Sequence, residues 1–143
     1  MKKSDALLLR EVQKNAQMAT KAIDALAGKV YEDDLSLQLS LQSLKYAQLG
    51  NRAADRLLNG HTETYQSSVF EDAMLLGSIH ANTLFDTSTS HIAELVMRGS
   101  SRGIAQLGRA IHANENAGRY AVEMARELMD FEEKSMEQMK KYL

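Results

Sequence analysis

The chain has 143 residues, a length that suits one domain with a sizeable core, and it contains neither cysteine nor proline. Apolar residues make up 44% of the chain and charged residues 25%, a balance typical of folded globular proteins and unlike that of disordered ones. The net charge of −2, with basic residues spread along the chain, argues against a nucleic-acid partner, and the lack of cysteine excludes disulfides, iron–sulfur clusters and thiol catalysis.

The N-terminal segment carries two lysines and then the short apolar run Leu7–Leu9. That run is too short for the core of a signal peptide, and no other run approaches transmembrane length. We therefore expect a cytoplasmic protein with no membrane partner. The absence of proline is typical of an all-helical chain, because proline is the strongest helix breaker.

The first predicted helix runs from Ser4, a suitable N-cap, to about Gly28, a suitable stop. Its apolar positions are spaced alternately by three and four residues: Leu9, Val12, Ala16, Ala19, Ile23, Leu26 and Val30. This spacing predicts near-parallel packing against another helix at roughly 20°. The two alanines indicate that the partner helix approaches closely.

The second predicted helix begins at the three carboxylates of 32–34, which favour a helix N-terminus, and ends near Gly60. Residues 35–44 also alternate as in a strand, but no second strand exists to pair with them. Four leucines share one face with three polar residues: Leu37, Leu41, Leu44, Leu58, Gln48, Asn51 and Asp55. We expect these polar side chains to form a buried network that fixes helix register; the alternative is a small-ligand pocket.

A loop at 61–67 leads to a third predicted helix over 68–98. Its run 86–90, Asp-Thr-Ser-Thr-Ser, is poor helix material and allows a kink or break. The sequence Arg-Gly-Ser-Ser-Arg-Gly at 98–103 predicts the turn into a last, long helix over 102–143.

Four long helices joined by short turns predict an all-α fold, an up-down-up-down four-helix bundle. We expect this bundle to form a single domain over 1–143.

Two His-x-x-Glu units are candidates for metal binding. Their ends are His91, Glu94, His112 and Glu115. At this spacing, a histidine and a glutamate on one helix can reach the same ion, and two facing helices would give four ligands for iron, manganese or zinc. The alternative is that the histidines are hydrogen-bonded at one end of the bundle, with Asp33 and Asp34 as partners.

The long proline-free bundle and its ending ARELMDFEEKSMEQMKKYL resemble the ferritin-like superfamily. The resemblance implies a four-helix bundle. In metal-binding members it also implies a glutamate from each of two helices and a Glu-x-x-His unit from each of the other two. The nearest unit here is Glu132-Glu133-Lys134-Ser135, with Ser135 in the place of the histidine, and the first helix offers only Glu11. The resemblance therefore implies the fold without the usual di-iron ligand set.

From these patterns we expect a non-enzymatic structural or interaction protein that acts as a homo-oligomer or with a protein partner and has no resident cofactor. The alternative is a metal-binding or metal-dependent redox protein that uses the histidines and glutamates of the third and fourth helices. A third hypothesis is that the polar stripe of the second helix binds a small ligand or a partner helix.

Overall fold

The computed structural model describes all 143 residues, Met1–Leu143, and confirms the all-α prediction. It contains five α-helices and a final short 3-10 turn. Their bounds are α1 Lys3–Ala27, α2 Asp33–Asn59, α3 Val69–Thr83, α4 Thr89–Ala113, α5 Arg119–Met139 and the 3-10 turn Lys140–Tyr142. None of the helices combines the length and the apolar character that crossing a bilayer requires.

Local side chains set where three of the helices begin. Glu32 accepts from the first backbone N–H groups of α2, Ser68 caps α3, and Ser88 caps α4. These contacts satisfy N–H groups that have no partner within the helix. Asp86 also accepts from the backbone N–H of Ser88 at 2.9 Å. The break expected near 86–90 is therefore confirmed, and the predicted third helix is two helices.

The predicted turn at 98–103 is wrong, because this segment lies within α4 and turns Ser100 and Gly103 into the core. The predicted single helix over 102–143 is also wrong. It is interrupted at 114–118, where the backbone N–H of Gly118 donates to Asp5 Oδ1 at 2.6 Å before α5 begins. The small residues of this segment do not form a turn; within α4 they allow close contact with other helices.

The two helices of each hairpin run antiparallel. In the first hairpin, Ser43 of α2 bonds Asp24 near the end of α1 at 2.6 Å, and Gly60 lies against Met1. In the second hairpin, Gly103 of α4 lies against Glu132 of α5.

The two hairpins are joined by a long crossover over 60–88 that carries α3. Across the hairpins, α1 and α5 run parallel, since Asp5 meets Gly118 near their starts and Asn15 lies near Glu132 further along. The four bundle helices therefore run up, down, down, up. This differs from the predicted up-down-up-down order, because a crossover of this length lets α4 start at the same end of the bundle as α2.

The predicted face of α1 is confirmed as part of the core. Five of its seven apolar residues are buried and the other two pack against the core. Close contact with α2 is also present: a Cβ built on Gly50 would lie 3.0 Å from that of Ala16.

The face of α2 that was predicted to be buried is exposed. Its buried face consists of Leu35, Leu39, Gln42, Tyr46, Leu49, Gly50, Ala53 and Leu57. Gln48, Asn51 and Asp55 are exposed with the leucines of the other stripe, so no buried polar network forms there. Both stripes have helical spacing and both contain leucine, and only the contacts with α1 and α5 distinguish them.

Candidate functional site

The structure brings together only one pair of the predicted metal-ligating residues, His91 and Glu94, whose Nδ1 and Oε2 atoms lie 4.0 Å apart. His91 and Glu94 lie at the start of α4, whereas His112 lies at its end and Glu115 in the turn that follows. The two histidines are 21 residues apart on one straight helix, which corresponds to about 32 Å. His112, Glu94 and Glu115 are exposed. Nowhere do three or more His, Cys, Asp or Glu side chains lie close enough to hold a metal ion.

The alternative partners predicted for the histidines are not found either. His91 Nε2 lies 2.7 Å from the carbonyl oxygen of Asn82, and its Nδ1 lies 4.0 Å from Asp86 Oδ2. Asp34 instead accepts from the Tyr142 hydroxyl and pairs with Lys141. His91 therefore joins the end of α3 to the start of α4.

A buried polar cluster lies in the middle of the bundle instead. It consists of Tyr46 from α2, Ser100 from α4, and Glu132 and Ser135 from α5, and is called the Glu132 cluster below. Glu132 is only 2% exposed. Three of the four bundle helices thus direct polar side chains to one point, and Asn15 of α1 lies beside them.

Hydrogen bonds and one glycine fix the position of the Glu132 carboxylate. The Tyr46 hydroxyl donates to Oε2 at 2.6 Å and also lies 3.4 Å from Ser135 Oγ. The other oxygen, Oε1, lies over Gly103, where a Cβ would be only 2.6 Å away. Gly103 therefore makes room for the carboxylate. Asn15 donates a hydrogen bond to Glu11 Oε1 at 2.9 Å, one helical turn earlier on α1.

The environment of Glu132 favours its neutral form. Burial raises the pKa of Glu132 from 4.5 to about 7, although hydrogen bonds from Tyr46 and Ser100 lower it in part. No lysine, arginine or histidine forms an ion pair with it. Burial and the Glu132 charge raise the pKa of Tyr46 as well, so the phenol stays protonated. Near neutral pH the carboxyl can therefore gain or lose a proton.

A cavity of about 180 Å³ connects the Glu132 cluster with the groove between α1 and α4. Its wall is mostly apolar and includes Met18, Ala22, Ile23, Leu95, Val96 and Gly99. Glu132, Tyr46 and Asn15 form its polar part, Arg102 and Gln106 also line it, and Leu75 of α3 lies at its edge.

The Glu132 cluster does not fit the di-metal site that the ferritin-like resemblance implies. Such a site needs several carboxylates and two histidines. The cluster offers one carboxylate, two serine hydroxyls and a protonated phenol. The Glu132–Ser135 unit is recognisable in the sequence, whereas no sequence signal pointed to Tyr46 and Ser100. The correct face of α2 would have revealed Tyr46, as a polar side chain on an otherwise apolar stripe.

The second unusual feature is the exposed apolar surface of α3. Only Thr83 of this helix is buried, while Phe70 is 72% exposed and Phe85, just after the helix, is 95% exposed. Exposed residues recur here at spacings of four and three residues, and we call them the α3 seam: Phe70, Met74, Gly77, Ala81 and Leu84. Residues 73–85 include no Asp, Glu, Lys or Arg.

Comparison of the chain with protein-family models, with curated proteins and with solved structures finds no match. Function is therefore inferred from the Glu132 cluster and the α3 seam.

Proposed function

We propose that the chain is a non-enzymatic helical-bundle protein that works in the cytoplasm as a homodimer paired through the α3 seam. The observation that carries this proposal is the exposure of an uncharged apolar seam along a whole helix. Single exposed apolar residues are normal on a protein surface, but a contiguous apolar patch is typical of an interface.

The α3 seam is complementary to a second copy of itself. If two α3 helices pack antiparallel about Gly77, Phe70 of one copy faces Leu84 of the other and Met74 faces Ala81. Large side chains thus meet smaller ones, as in an isologous interface around a two-fold axis. At the axis, Gly77 faces Gly77, and a Cβ there would meet nothing within 4 Å in its own chain. A glycine inside a helix costs about 1 kcal/mol relative to alanine. Close approach of a partner helix at Gly77 would explain why the chain has a glycine there.

The two exposed phenylalanines supply a substantial part of the area that a dimer interface needs. A standard interface buries about 800 Å² per partner. Phe70 and Phe85 alone contribute about 300 Å² at ~150 Å² each. Met74 and Leu84 add exposed aliphatic side chains on the same face of the helix.

The exposed stripe of α2 is a weaker candidate for the same role. The same antiparallel pairing would place Leu41 against Asp55 and Leu44 against Asn51. Burying a carboxylate against leucine without a partner is costly. The α3 seam has no such mismatch.

Connectivity supports the ferritin-like part of the proposal. Two antiparallel hairpins joined by one long crossover are the connectivity of ferritin-like bundles. The metal-dependent redox alternative has no ligand set in the Glu132 cluster. We therefore propose a ferritin-like bundle that lacks the usual di-iron site.

Sedimentation equilibrium of the chain and of a Gly77→Glu variant tests the dimer. We expect a dimer at micromolar concentration for the native chain and a monomer for the variant, because two buried glutamates would face each other at the axis. Asn82→Glu is the matched control, since it adds the same charge at an exposed position of α3 about 140° around the helix from Gly77 and should leave the dimer intact. A native chain that stays monomeric, or a dimer lost by Leu41→Glu and not by Gly77→Glu, would contradict the proposal.

A further inference from the structure

We propose that the cavity beside Glu132 is a binding site for a small primary ammonium ion with an apolar body, whose charged group pairs with the Glu132 carboxylate. The proposal rests on the cavity and on the single acidic group at its polar end. It is independent of the proposed dimer.

A cation is the ligand that this carboxylate lacks. A buried carboxylate without a counter-ion is costly, and hydrogen bonds from hydroxyl groups compensate only part of that cost. Glu132 has such a bond from Tyr46 and no basic partner. Its raised pKa of about 7 is a second sign that a positive charge is missing. A ligand ammonium would provide both the charge and N–H donors.

The cavity limits the ligand to a small molecule with an aliphatic body. Its volume of about 180 Å³ is below the ~300 Å³ at which pockets for drug-sized ligands begin. It corresponds to about six water molecules at ~30 Å³ each. The wall is aliphatic, and Met18 is flexible enough to adapt to a branched chain. Isopentylammonium is a suitable probe.

The other groups around Glu132 do not carry a competing positive charge near the carboxylate. From α2 and α5 the neighbours are Tyr46 and Ser135, and from α4 they are Ser100 and Gly103. From α1 it is the neutral Asn15, which bonds Glu11.

Two further residues line the cavity wall. Leu75 of α3 is apolar, and Arg102 of α4 is exposed and makes no ion pair with Glu132. Glu132 is therefore the group whose ionisation controls binding of a cation.

Titration calorimetry with isopentylammonium at pH 6 and pH 8 tests the proposal. With a pKa of about 7, the carboxylate fraction rises about tenfold between these pH values, so the apparent affinity should rise about tenfold. Isopentanol has the same shape without the charge, and we expect it to bind at least tenfold more weakly at pH 8. No saturable binding of isopentylammonium at pH 8, or equal affinity for isopentanol, would overturn the proposal.

Two variants locate the site. Glu132→Gln keeps the shape of the side chain, and we expect it to lose at least tenfold in affinity at pH 8 and to lose the pH dependence. Gly99→Leu should block the cavity, because a Cβ at Gly99 meets nothing within 4 Å and the longer side chain can extend along the wall. Gly99→Ala is the matched control and should bind normally. Native affinity in both Glu132→Gln and Gly99→Leu would place the ligand elsewhere and overturn the proposal.

The same variants separate this proposal from the dimer. Gly77→Glu should become monomeric and still bind isopentylammonium, whereas Gly99→Leu should lose the ligand and stay dimeric. Either proposal can therefore fail without the other.

Discussion

The apolar faces of α1 and α3 have the same spacing and opposite surroundings. Both follow a four-three repeat, and both contain small residues near the middle, Ala16 in one and Gly77 in the other. In α1, Ala16 is fully buried against Gly50 of α2, whereas the space around Gly77 is open. Periodicity therefore reveals an apolar face, but it does not show whether that face packs against another part of the same chain.

Chain connectivity explains the difference. The short turn after α1 folds α2 directly back onto it, so the α1 face is covered along its length. The helix α3 lies in the crossover between two hairpins. It contacts α1 through the ion pair of Lys21 with Asp72, and Ile79 on its inner side packs against the core. Its outer side has no neighbour in the chain.

The largest expected effect distinguishes these two faces directly. Leu9 of α1 is 1% exposed, and Leu9→Ala should lower the free energy of unfolding by about 2–5 kcal/mol. Phe70→Ala on the α3 seam should lower it by less than about 0.5 kcal/mol when the dimer is dissociated. Urea denaturation in a Gly77→Glu background, where no dimer contributes, measures both. Equal losses would mean that α3 belongs to the core of the single chain.

The next effect is the pH dependence of stability that the buried Glu132 should cause. Because the pKa of Glu132 rises from 4.5 to about 7 on folding, the folded chain binds more protons in this range. Stability should therefore be highest below pH 4.5 as far as this group is concerned and should fall as pH rises to about 7, by on the order of 3 kcal/mol. Glu132→Gln should remove this fall.

Urea denaturation of the native chain and of Glu132→Gln at pH 5 and pH 8 measures the difference. We expect the variant to be more stable than the native chain at pH 8, while the two differ less at pH 5. A variant that is less stable at pH 8 and keeps the native pH dependence would show that another group is responsible.

A matched pair of glycine substitutions should give effects of opposite sign. Gly50→Ala places a Cβ 3.0 Å from that of Ala16, and the overpacking should cost about 1–2 kcal/mol. Gly77→Ala meets nothing, and its higher helix propensity should stabilise the dissociated chain by up to about 1 kcal/mol. Thermal unfolding at low protein concentration compares the two. A destabilising Gly77→Ala would indicate a contact of α3 within the chain.

The smallest expected effect concerns the boundary between α3 and the core. Ser88 accepts from the backbone N–H of His91 at 3.3 Å and starts α4, so Ser88→Ala should cost about 1 kcal/mol. Ser68→Ala removes the equivalent cap of α3 and should cost less global stability, because α3 is mostly exposed and we expect it to open without unfolding the bundle. Hydrogen exchange of the two helices distinguishes the cases, and identical protection of α3 and α4 in both variants would argue for a single cooperative unit.

Much of the fold was predictable from the sequence, and most of the candidate site was not. The buried face of α1, the start of α3 near Ser68 and the break near 86–90 follow from signals within a few residues. The Glu132–Ser135 unit was visible through its resemblance to Glu-x-x-His. His91 and His112 were expected on two facing helices, but they lie at opposite ends of α4, because the expected turn at 98–103 is continuous helix.

The sequence by itself determined that the protein is helical, where several helices begin, and which face of α1 is apolar. These properties depend on propensity, capping and spacing, which act over neighbouring residues. Only the tertiary structure decided which face of α2 is buried, that α3 lies outside the bundle, and that Tyr46 meets Glu132. Tyr46 and Glu132 are 86 positions apart, and their contact depends on how the two hairpins are joined. Contacts at such separations arise from packing, which no local pattern specifies.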